Sequence, residues 1–242
     1  MFLHLSSEAK EPRVDIFTPN AEVPFAGHPT IGTAFYILQI QKAASVTALT
    51  EKAGRIPISI TEDGCSVKAN VPQDFHTHNI TFTSELTPEP APCVSIVNGM
   101  TFILVALPDL PTLAKASKNL QSTYDPSPLD EGWQNGLVGT LYFVAEGVDE
   151  SGTKKYRTRM MVDGTEDAGT GSASCALGCW LASREPRGNE KGSFKYAFTQ
   201  GVEMGRRNDI AVEVARNDEG TKIETVALIG TAVTVMEGSL EV

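Results

Sequence analysis

The sequence predicts an α+β fold built from two similar halves. Segments in which apolar and polar residues alternate dominate the chain, and apolar helical segments are few. The two kinds of segment do not follow each other in strict alternation, as they would around a parallel α/β sheet. A short pattern also occurs twice, each time where a predicted strand gives way to a predicted helix, and this indicates an internal repeat.

Strands are predicted where polar and apolar residues alternate, or where short apolar runs end at turn residues. These segments are 13–19, 55–72, 101–108, 139–147, 155–162, 194–201, 209–217 and 224–238. Within the second segment, the sequence Glu62-Asp63-Gly64-Cys65 suits a tight turn. This segment is therefore predicted to be a β-hairpin.

Three segments carry a helical pattern. The two clear ones are 30–42 and 172–184, where small and apolar residues occupy most faces, and a weaker one lies near 111–120. A helix that is apolar on most faces is buried. We therefore expect the two clear helices to lie inside a curved sheet.

Two stretches lack apolar periodicity. Residues 83–93 are rich in Pro and Thr, and residues 121–137 form a second irregular connection. Residues 83–93 are predicted to link the two halves. This places the N-terminal half at residues 1–88 and the C-terminal half at residues 89–242.

The charge and the hydropathy pattern exclude several classes of protein. The formal net charge is −10, and the only adjacent basic pairs are Lys154-Lys155 and Arg206-Arg207, so we expect no nucleic-acid partner. No apolar run is long enough to cross a bilayer, so no membrane partner is expected, and the N-terminus lacks a signal-peptide pattern. These features predict a cytoplasmic protein.

The four cysteines are predicted to be free thiols. They are Cys65, Cys93, Cys175 and Cys179, and a chain of 242 residues can bury a core without disulfide bonds. Cys175 and Cys179 lie on one face of a predicted helix, but zinc-site spacings are absent. We expect these two to be buried as small hydrophobic residues.

The repeated pattern surrounds the starts of the two clear helices. It reads Ala-Gly-His-Pro-Thr at 26–30 and Ala-Gly-Thr-Gly-Ser at 168–172. Each copy follows a predicted strand and acidic residues, which are Glu22 in the first copy and Glu166 and Asp167 in the second. The shared order of strand, acid, Ala-Gly-x-x-hydroxyl and helix indicates two halves related by a pseudo-twofold axis.

Two helix starts of this kind can form an anion site. A helix N-terminus presents unpaired N–H groups and the positive end of the helix dipole, and Gly27, Gly169 and Gly171 let a ligand approach the backbone. Facing each other across a cleft, the two starts would bind a small anionic substrate. His28 lies at the first start, where the dipole favours a neutral imidazole that can accept or relay a proton.

Each of these residues also has a purely structural explanation. Thr30 and Ser172 are common at helix starts, Pro29 is common in a first helical turn, and glycines serve tight turns. For each residue considered singly, the structural explanation is enough to account for its presence. Jointly, an acid, a histidine and two glycine-containing helix starts favour a functional site.

At these residues the chain resembles the PhzF-like family of phenazine-biosynthesis isomerases. The resemblance rests on FTPNAEVPFAGHPTIGTA at 17–34, EDAGTGSASCAL at 166–177, QGVEMGR at 200–206 and IGTAVTVMEGSL at 229–240. It implies a diaminopimelate epimerase-like fold, in which each of two pseudosymmetric halves is a curved, mostly antiparallel sheet around a central helix. It also implies an isomerase of secondary metabolism that moves a proton on a small carboxylate-bearing metabolite. No cofactor and no metal are implied, and family members are often homodimers.

The resemblance assigns roles to particular residues. His28 matches the family's active-site histidine and Asp167 its active-site aspartate, and both are expected to handle protons. Ala168 stands where the family motif has proline, which should leave the carboxylate in place. The residues expected to bind the substrate carboxylate are Gly27, Gly169, Thr170, Gly171 and Ser172.

One part of the family pattern is absent from the sequence. Family members carry two strands and a helix ending in Ser-Glu-Thr, and this glutamate is the acid/base of the founding isomerase. Met1 falls directly after its place, and Glu8 is not a positional match. We therefore expect a shortened N-terminal half, completed by the C-terminal strand, with an exposed sheet edge and an incompletely covered central helix. Glu22 is the nearest substitute acid, although a structural role is expected for it.

Three alternatives stay open at this point. A catalytically impaired relative would bind a small molecule without turnover. A two-base racemase would need a cysteine before each helix start, where this chain has Ala26 and Ala168. A metal enzyme would use His76 and His78, which alternate along an extended segment. Because no acidic or Cys partner lies nearby in the sequence, these two histidines are expected to be solvent-facing loop residues.

Overall fold

The computed structural model describes residues 1–4, 10–18, 21–186 and 193–239. Within these ranges, a single mixed sheet of 14 strands packs against two longer helices. The strands are β1 (Phe2–His4), β2 (Arg13–Asp15), β3 (Ala48–Glu51), β4 (Gly54–Ile60), β5 (Val67–Asn70), β6 (His76–Ser84), β7 (Thr87–Val97), β8 (Met100–Ala106), β9 (Leu137–Val148), β10 (Lys154–Val162), β11 (Thr165–Asp167), β12 (Ser193–Gln200), β13 (Asn208–Arg216) and β14 (Ile223–Gly230).

The sheet follows the order β1-β2-β3-β4-β5-β14-β13-β12-β10-β9-β8-β7-β6, and β11 pairs with β10 outside this path. Its neighbouring strands are antiparallel except for β2–β3, β8–β9 and β10–β12. The strand β14 lies between β5 and β13. It therefore joins the strands from the first part of the chain to those from the second, and the mostly antiparallel α+β prediction is confirmed.

The described residues contain helices α1 (Gly27–Phe35), α2 (Leu110–Leu113) and α3 (Gly171–Arg184), and a π-helical turn (Tyr36–Ile40) continues α1. Helix α1 contacts β5 and β14, whereas α3 contacts β7, β8, β12, β13 and β14. All nine residues from Gly171 to Cys179 are buried. The prediction of a central helix that is buried on most faces is confirmed for α3. Within the described part of the chain, no helix is long and apolar enough to span a membrane.

Strand β8 is buried on both of its faces. Phe102 and Leu104 belong to the large core around the helices, while Ile103 and Val105 belong to a second apolar cluster. Alternate residues of a strand point to opposite faces, so the second cluster lies on the outer side of the sheet. Residues from α2 and the segment that follows it, such as Leu113 and Leu129, cover that side.

Most predicted elements are confirmed. The hairpin is formed by β4 and β5, and Gly64 takes a positive φ of 71° in its turn. The other confirmed strands are β8, β9, β10, β12 and β13, and α3 matches the predicted helix at 172–184. Residues 121–137 form turns and loops up to the start of β9 at Leu137, as predicted.

The prediction of a linker at residues 83–93 is wrong, because β6 and β7 form an antiparallel pair there. The prolines that suggested a linker stand at alternate positions, 88, 90 and 92. This part of β7 pairs only with β6, since the pairing of β7 with β8 begins at Cys93. Proline is tolerated where one side of a strand needs no N–H donors. The division into residues 1–88 and 89–242 stays a prediction, and β7 crosses its boundary.

Other differences concern the ends of elements. Helix α1 begins at Gly27 and not at residue 30, and the predicted helix near 111–120 is reduced to the single turn of α2. The predicted strand 224–238 ends at Gly230, and Val233, Val235 and Met236 beyond it are more than 80% exposed. Their alternating pattern has no partner strand among the described residues, and a strand forms only where its backbone groups are paired. Glu8 lies outside the described residues.

Candidate active site

The starts of α1 and α3 are in direct contact. A Cβ atom on Gly27 would lie 2.6 Å from Gly171 Cα, and a Cβ atom on Gly171 would lie 3.0 Å from Gly27 Cα. Leu228 of β14 packs against both glycines. Only glycine allows two helix backbones to come this close.

The repeat in the sequence is therefore offset at the helix starts. The sequence alignment pairs Gly27 with Gly169, but the first helical residues are Gly27 and Gly171. The extra residues in the second copy, Gly169 and Thr170, form the turn that leads from β11 into α3. In this turn Gly169 faces His28.

A cavity of about 680 Å³ opens beside the paired helix starts. Helix α1 contributes Gly27, His28, Ile31 and Gly32 to its wall. The remaining wall comes from the start of α3, from β13 and β14 and from their flanking segments, and it includes Ala168, Gly169, Gly171, Arg206, Asn208 and Leu228.

Neither helix start carries a side-chain cap. The residue before α1 is Ala26, which has no capping group, and the Thr170 hydroxyl before α3 donates to Asp167 Oδ2 at 2.6 Å instead. The first N–H groups of an α-helix have no intrahelical partner. The two starts therefore offer donors and positive dipole ends to an anion in the cavity.

The ring of His28 is held by the opposite helix start. His28 Nδ1 lies 3.1 Å from the carbonyl oxygen of Gly169. A carbonyl oxygen only accepts, so Nδ1 carries the proton and the neutral ring keeps its lone pair on Nε2. His28 is exposed at the cavity. Its Nε2 is thus in position to accept a proton from a bound molecule.

Asp167 organises the turn before α3. Its Oδ1 accepts from the Gly169 N–H at 3.3 Å, and its Oδ2 accepts from the Thr170 hydroxyl. Asp167 is half-buried and adjoins the cavity wall at Ala168, whereas the Ser172 side chain is buried within the first turn of α3. Of the predicted site residues, Gly27, His28, Gly169 and Gly171 line the cavity, and Asp167, Thr170 and Ser172 stand behind them.

Three residues of the site carried no role in the sequence analysis. Gln200 is fully buried, accepts from the Thr170 N–H at 3.1 Å and donates to the Asp167 carbonyl oxygen at 2.7 Å. Asn208 donates to the Ala168 carbonyl oxygen at 2.8 Å. Arg206 lines the cavity and has no acidic partner among the described residues. The segment QGVEMGR at 200–206 was a visible signal, but a sequence cannot show that it packs against the α3 start.

Three other residues singled out in the sequence, Glu22, Cys175 and Cys179, fall outside the cavity wall. Glu22 forms an ion pair with Lys52 at 2.9 Å, which agrees with the structural role expected for it. Cys175 and Cys179 are fully buried free thiols, as predicted, and burial raises the pKa of both. Neither thiol is placed to act at the helix starts.

The prediction for His76 and His78 is wrong. Both residues lie on strand β6, and His78 is 4% exposed. An acidic partner is also present, because Asp130 from the 121–137 connection lies 2.8 Å from His76 Nε2. The sequence alone does not indicate this pair, because 54 residues separate His76 from Asp130 along the chain.

The architecture, a mostly antiparallel sheet around two helices with a cavity where the helix starts meet, is an α+β fold. Solved structures of a predicted epimerase and of a probable proline racemase share this fold. The sequence then identifies the family. The sequence model of the phenazine biosynthesis-like proteins (PhzC-PhzF) matches residues 1–238, so the chain belongs to this family.

Individual relatives agree with this assignment. The chain is 25% identical to an uncharacterized isomerase of Mesorhizobium japonicum, over 94% of this chain and 79% of that protein. It is 26% identical to the trans-2,3-dihydro-3-hydroxyanthranilate isomerase of Pseudomonas aeruginosa, over 93% of this chain and 78% of that protein. The crystal structure of a PhzF-family protein of Bacillus anthracis has the same fold, with a TM-score of 0.70 at 21% identity, over 100% of this chain and 84% of that one.

Proposed function

We propose that this chain is an isomerase that moves a proton within a small carboxylate-bearing metabolite without a cofactor. The observation that carries the proposal is the meeting of two uncapped helix starts beside a histidine that opens to the cavity. Family membership supports isomerase chemistry. The substrate class and the cofactor-free mechanism are our inferences from the residues at the cavity.

In this proposal the helix starts bind the substrate carboxylate. The N–H groups of Gly169 and Thr170 already donate to Asp167 and Gln200. The N–H groups of Gly171 and Ser172, in the first turn of α3, are the donors left for a ligand, together with that of Gly27 in α1. The guanidinium of Arg206 supplies a positive charge at the same cavity.

His28 and Asp167 handle the proton in this scheme. His28 Nε2 accepts the proton from the substrate and returns it to another carbon of the same molecule. The hydrogen bond from Nδ1 to Gly169 keeps the ring in position during both steps. Asp167 stands behind the wall, so to serve as the second acid/base its Oδ1 must leave Gly169 and turn to the cavity. This contact, at 3.3 Å, is weaker than the 2.6 Å contact of Oδ2 with Thr170.

The proposal is tested by solvent deuterium exchange into small cyclic carboxylates. The first compound is trans-2,3-dihydro-3-hydroxyanthranilate, which the Pseudomonas aeruginosa relative isomerises according to its name. We expect His28→Asn and Asp167→Asn each to slow exchange by about 10²- to 10⁴-fold, the usual contribution of a general acid or base. Mass spectrometry of the recovered compound measures the rate.

His4→Asn is the matched control. His4 is an exposed histidine on β1 that pairs with Asp15, and it does not line the cavity. Its replacement should leave the exchange rate unchanged. Equal exchange in the wild type and in both site variants would rule out the assigned roles. Binding of the carboxylate without any exchange would instead identify a small-molecule binding protein.

The same resemblance implies a cytoplasmic homodimer. Light scattering on the eluate of a size-exclusion column measures the mass directly. The chain has a mass of 25.9 kDa, so a dimer is expected near twice that value.

A further inference from the structure

We propose that His76, His78 and Asp130 form a binding site for a divalent transition-metal ion of the zinc type. One ligand atom from each residue lies within 4.8 Å of the other two. None of the three lines the cavity at the helix starts. The site is therefore independent of the proposed isomerase activity.

The donor atoms are spaced for a single ion. Asp130 Oδ2 lies 2.8 Å from His76 Nε2 and 3.8 Å from His78 Nδ1. Donors that share a tetrahedral zinc ion at about 2.0–2.2 Å stand roughly 3.3 Å from each other. These two separations bracket this value, and all three ligand atoms lie within 4.8 Å of one another, so side-chain rotations can close the site. Two imidazoles and one carboxylate form a ligand set that zinc and its neighbours in the first transition series accept.

The unprotonated nitrogen of His78 faces Asp130. The backbone N–H of Asp130 points to His78 Nδ1 at 3.4 Å, and because an N–H only donates, Nδ1 is the acceptor. His78 Nε2 therefore donates to Ser95 Oγ at 2.8 Å, and Ser95 Oγ shares a further hydrogen bond with Thr101 Oγ1 at 2.6 Å. Ser95 and Thr101 are fully buried. Metal-binding histidines are typically held by such a partner on the second ring nitrogen.

This tautomer places two acceptor atoms near each other. His78 Nδ1 and Asp130 Oδ2 are 3.8 Å apart, and neither carries a proton to share with the other. A cation between these two atoms would be attracted by both of them. If the cluster served only to connect β6 to residues 121–137, the ion pair between His76 and Asp130 would be enough. The orientation of His78 is the feature that points to a metal ion.

The other two ligands are also held in place. Asp130 accepts from the backbone N–H and from the side-chain amide of Asn79 at 3.2 Å. The ring of His76 stacks on Trp133 at 4.7 Å. The side chains of His76 and Asp130 are 33% and 20% exposed, which leaves an entry path from solvent and a position for a water ligand. A bound metal ion replaces the proton on His76 Nε2, and the neutral ring then carries its proton on Nδ1.

The test is calorimetric titration of this chain of 242 residues with Zn²⁺. We expect one ion per chain for the wild type. His76→Gln and Asp130→Asn each remove one ligand, so they should weaken Zn²⁺ binding by at least about 100-fold. This exceeds the usual loss when a residue that only hydrogen-bonds to a metal ligand is replaced. His4→Gln is the matched control, since His4 and Asp15 form an exposed pair at 2.8 Å on β1. This variant should bind like the wild type.

A second readout uses the ring stacked on His76. In a Trp180→Phe variant, Trp133 is the remaining tryptophan, and Cu²⁺ should quench its fluorescence at one equivalent. His76→Gln should abolish this stoichiometric quenching. Circular dichroism checks that each variant is folded. If Asp130→Asn is unfolded, the test rests on His76→Gln, because the His76 side chain is partly exposed and its replacement should be tolerated. Absence of stoichiometric Zn²⁺ binding in the wild type, or equal binding in the folded ligand variants, would overturn the proposal.

Discussion

Replacing Gly27 with alanine is expected to lower the free energy of unfolding by about 3 kcal/mol, the upper end of the range for overpacked sites. The new Cβ atom would lie 2.6 Å from Gly171 Cα and 2.8 Å from Gly171 C. A flexible side chain such as Leu228 can move aside, but the first residue of α3 is fixed by the hydrogen bonds of its helix. The two helix starts must therefore separate. Urea unfolding of the two proteins measures the difference.

Gly32→Ala is the matched control for this prediction. Gly32 lies on the same helix, and a Cβ atom there would meet no atom within 4 Å. Alanine inside a helix is favoured over glycine, so this variant should gain about 0.5–1 kcal/mol. Equal stability changes in the two variants would show that the contact between the helix starts is not what requires Gly27.

The contact between Gly27 and Gly171 also shows how far the sequence could predict the site. The repeated pattern, the histidine and the acidic turn are visible in the sequence, and they lead to the correct pair of helices. The residue that meets Gly27 is Gly171 and not Gly169, because the second copy uses two further residues for its turn. Such an offset depends on three-dimensional packing, which a local alignment of two short segments does not contain.

The residues missed by sequence reasoning are those whose partners are distant along the chain. Gln200 supports the turn at Thr170 from 30 residues away, and Asp130 reaches His76 across 54 residues. The fold itself was easier to predict, because alternation identifies a strand locally. The exceptions were short strands, such as β1 and β11, and the proline-containing part of β7, where one-sided pairing removes the usual penalty for proline.

The second large effect is expected at Glu51, a residue on β3 that is 5% exposed. Thr30 Oγ1 lies 2.6 Å from Glu51 Oε1 and 2.8 Å from the Ala26 carbonyl oxygen. A hydroxyl has one hydrogen, which these two oxygens share, so Thr30 gives an ionised Glu51 only part of a hydrogen bond. The other carboxyl oxygen, Oε2, is buried without a partner among the described residues. This environment favours the neutral acid.

Burial raises the pKa of Glu51 from 4.5 to about 7, against a smaller opposing effect of the Thr30 hydrogen bond. The folded state therefore binds more protons than the unfolded state between pH 4.5 and about 7. By linkage, the stability contributed by this group falls as the pH rises through that window. Below pH 4.5 Glu51 is protonated in both the folded and the unfolded state, so its contribution to stability does not change with pH. Above that window, ionised Glu51 costs the folded state about 3 kcal/mol.

Glu51→Gln should remove this dependence, because the amide cannot ionise and its carbonyl oxygen can still accept from Thr30. Urea unfolding from pH 4.5 to 8.5 should show nearly equal stability of variant and wild type at the acid end. The variant should then become more stable by up to about 3 kcal/mol above pH 7. A difference that is constant with pH would show that Glu51 is ionised in the folded protein throughout this range, despite the burial of its carboxyl group.

Glu22→Gln is the control that separates the effect of burying a carboxyl group from the effect of removing a negative charge. Glu22 forms an ion pair with Lys52, and both side chains are partly exposed. Exposed ion pairs contribute about 1 kcal/mol or less, so the stability of this variant should stay within that range of the wild type over the same pH series. Thr30 lies in the first turns of α1, two residues after His28. A neutral Glu51 therefore stabilises the helix start that holds the proposed catalytic histidine against Gly169.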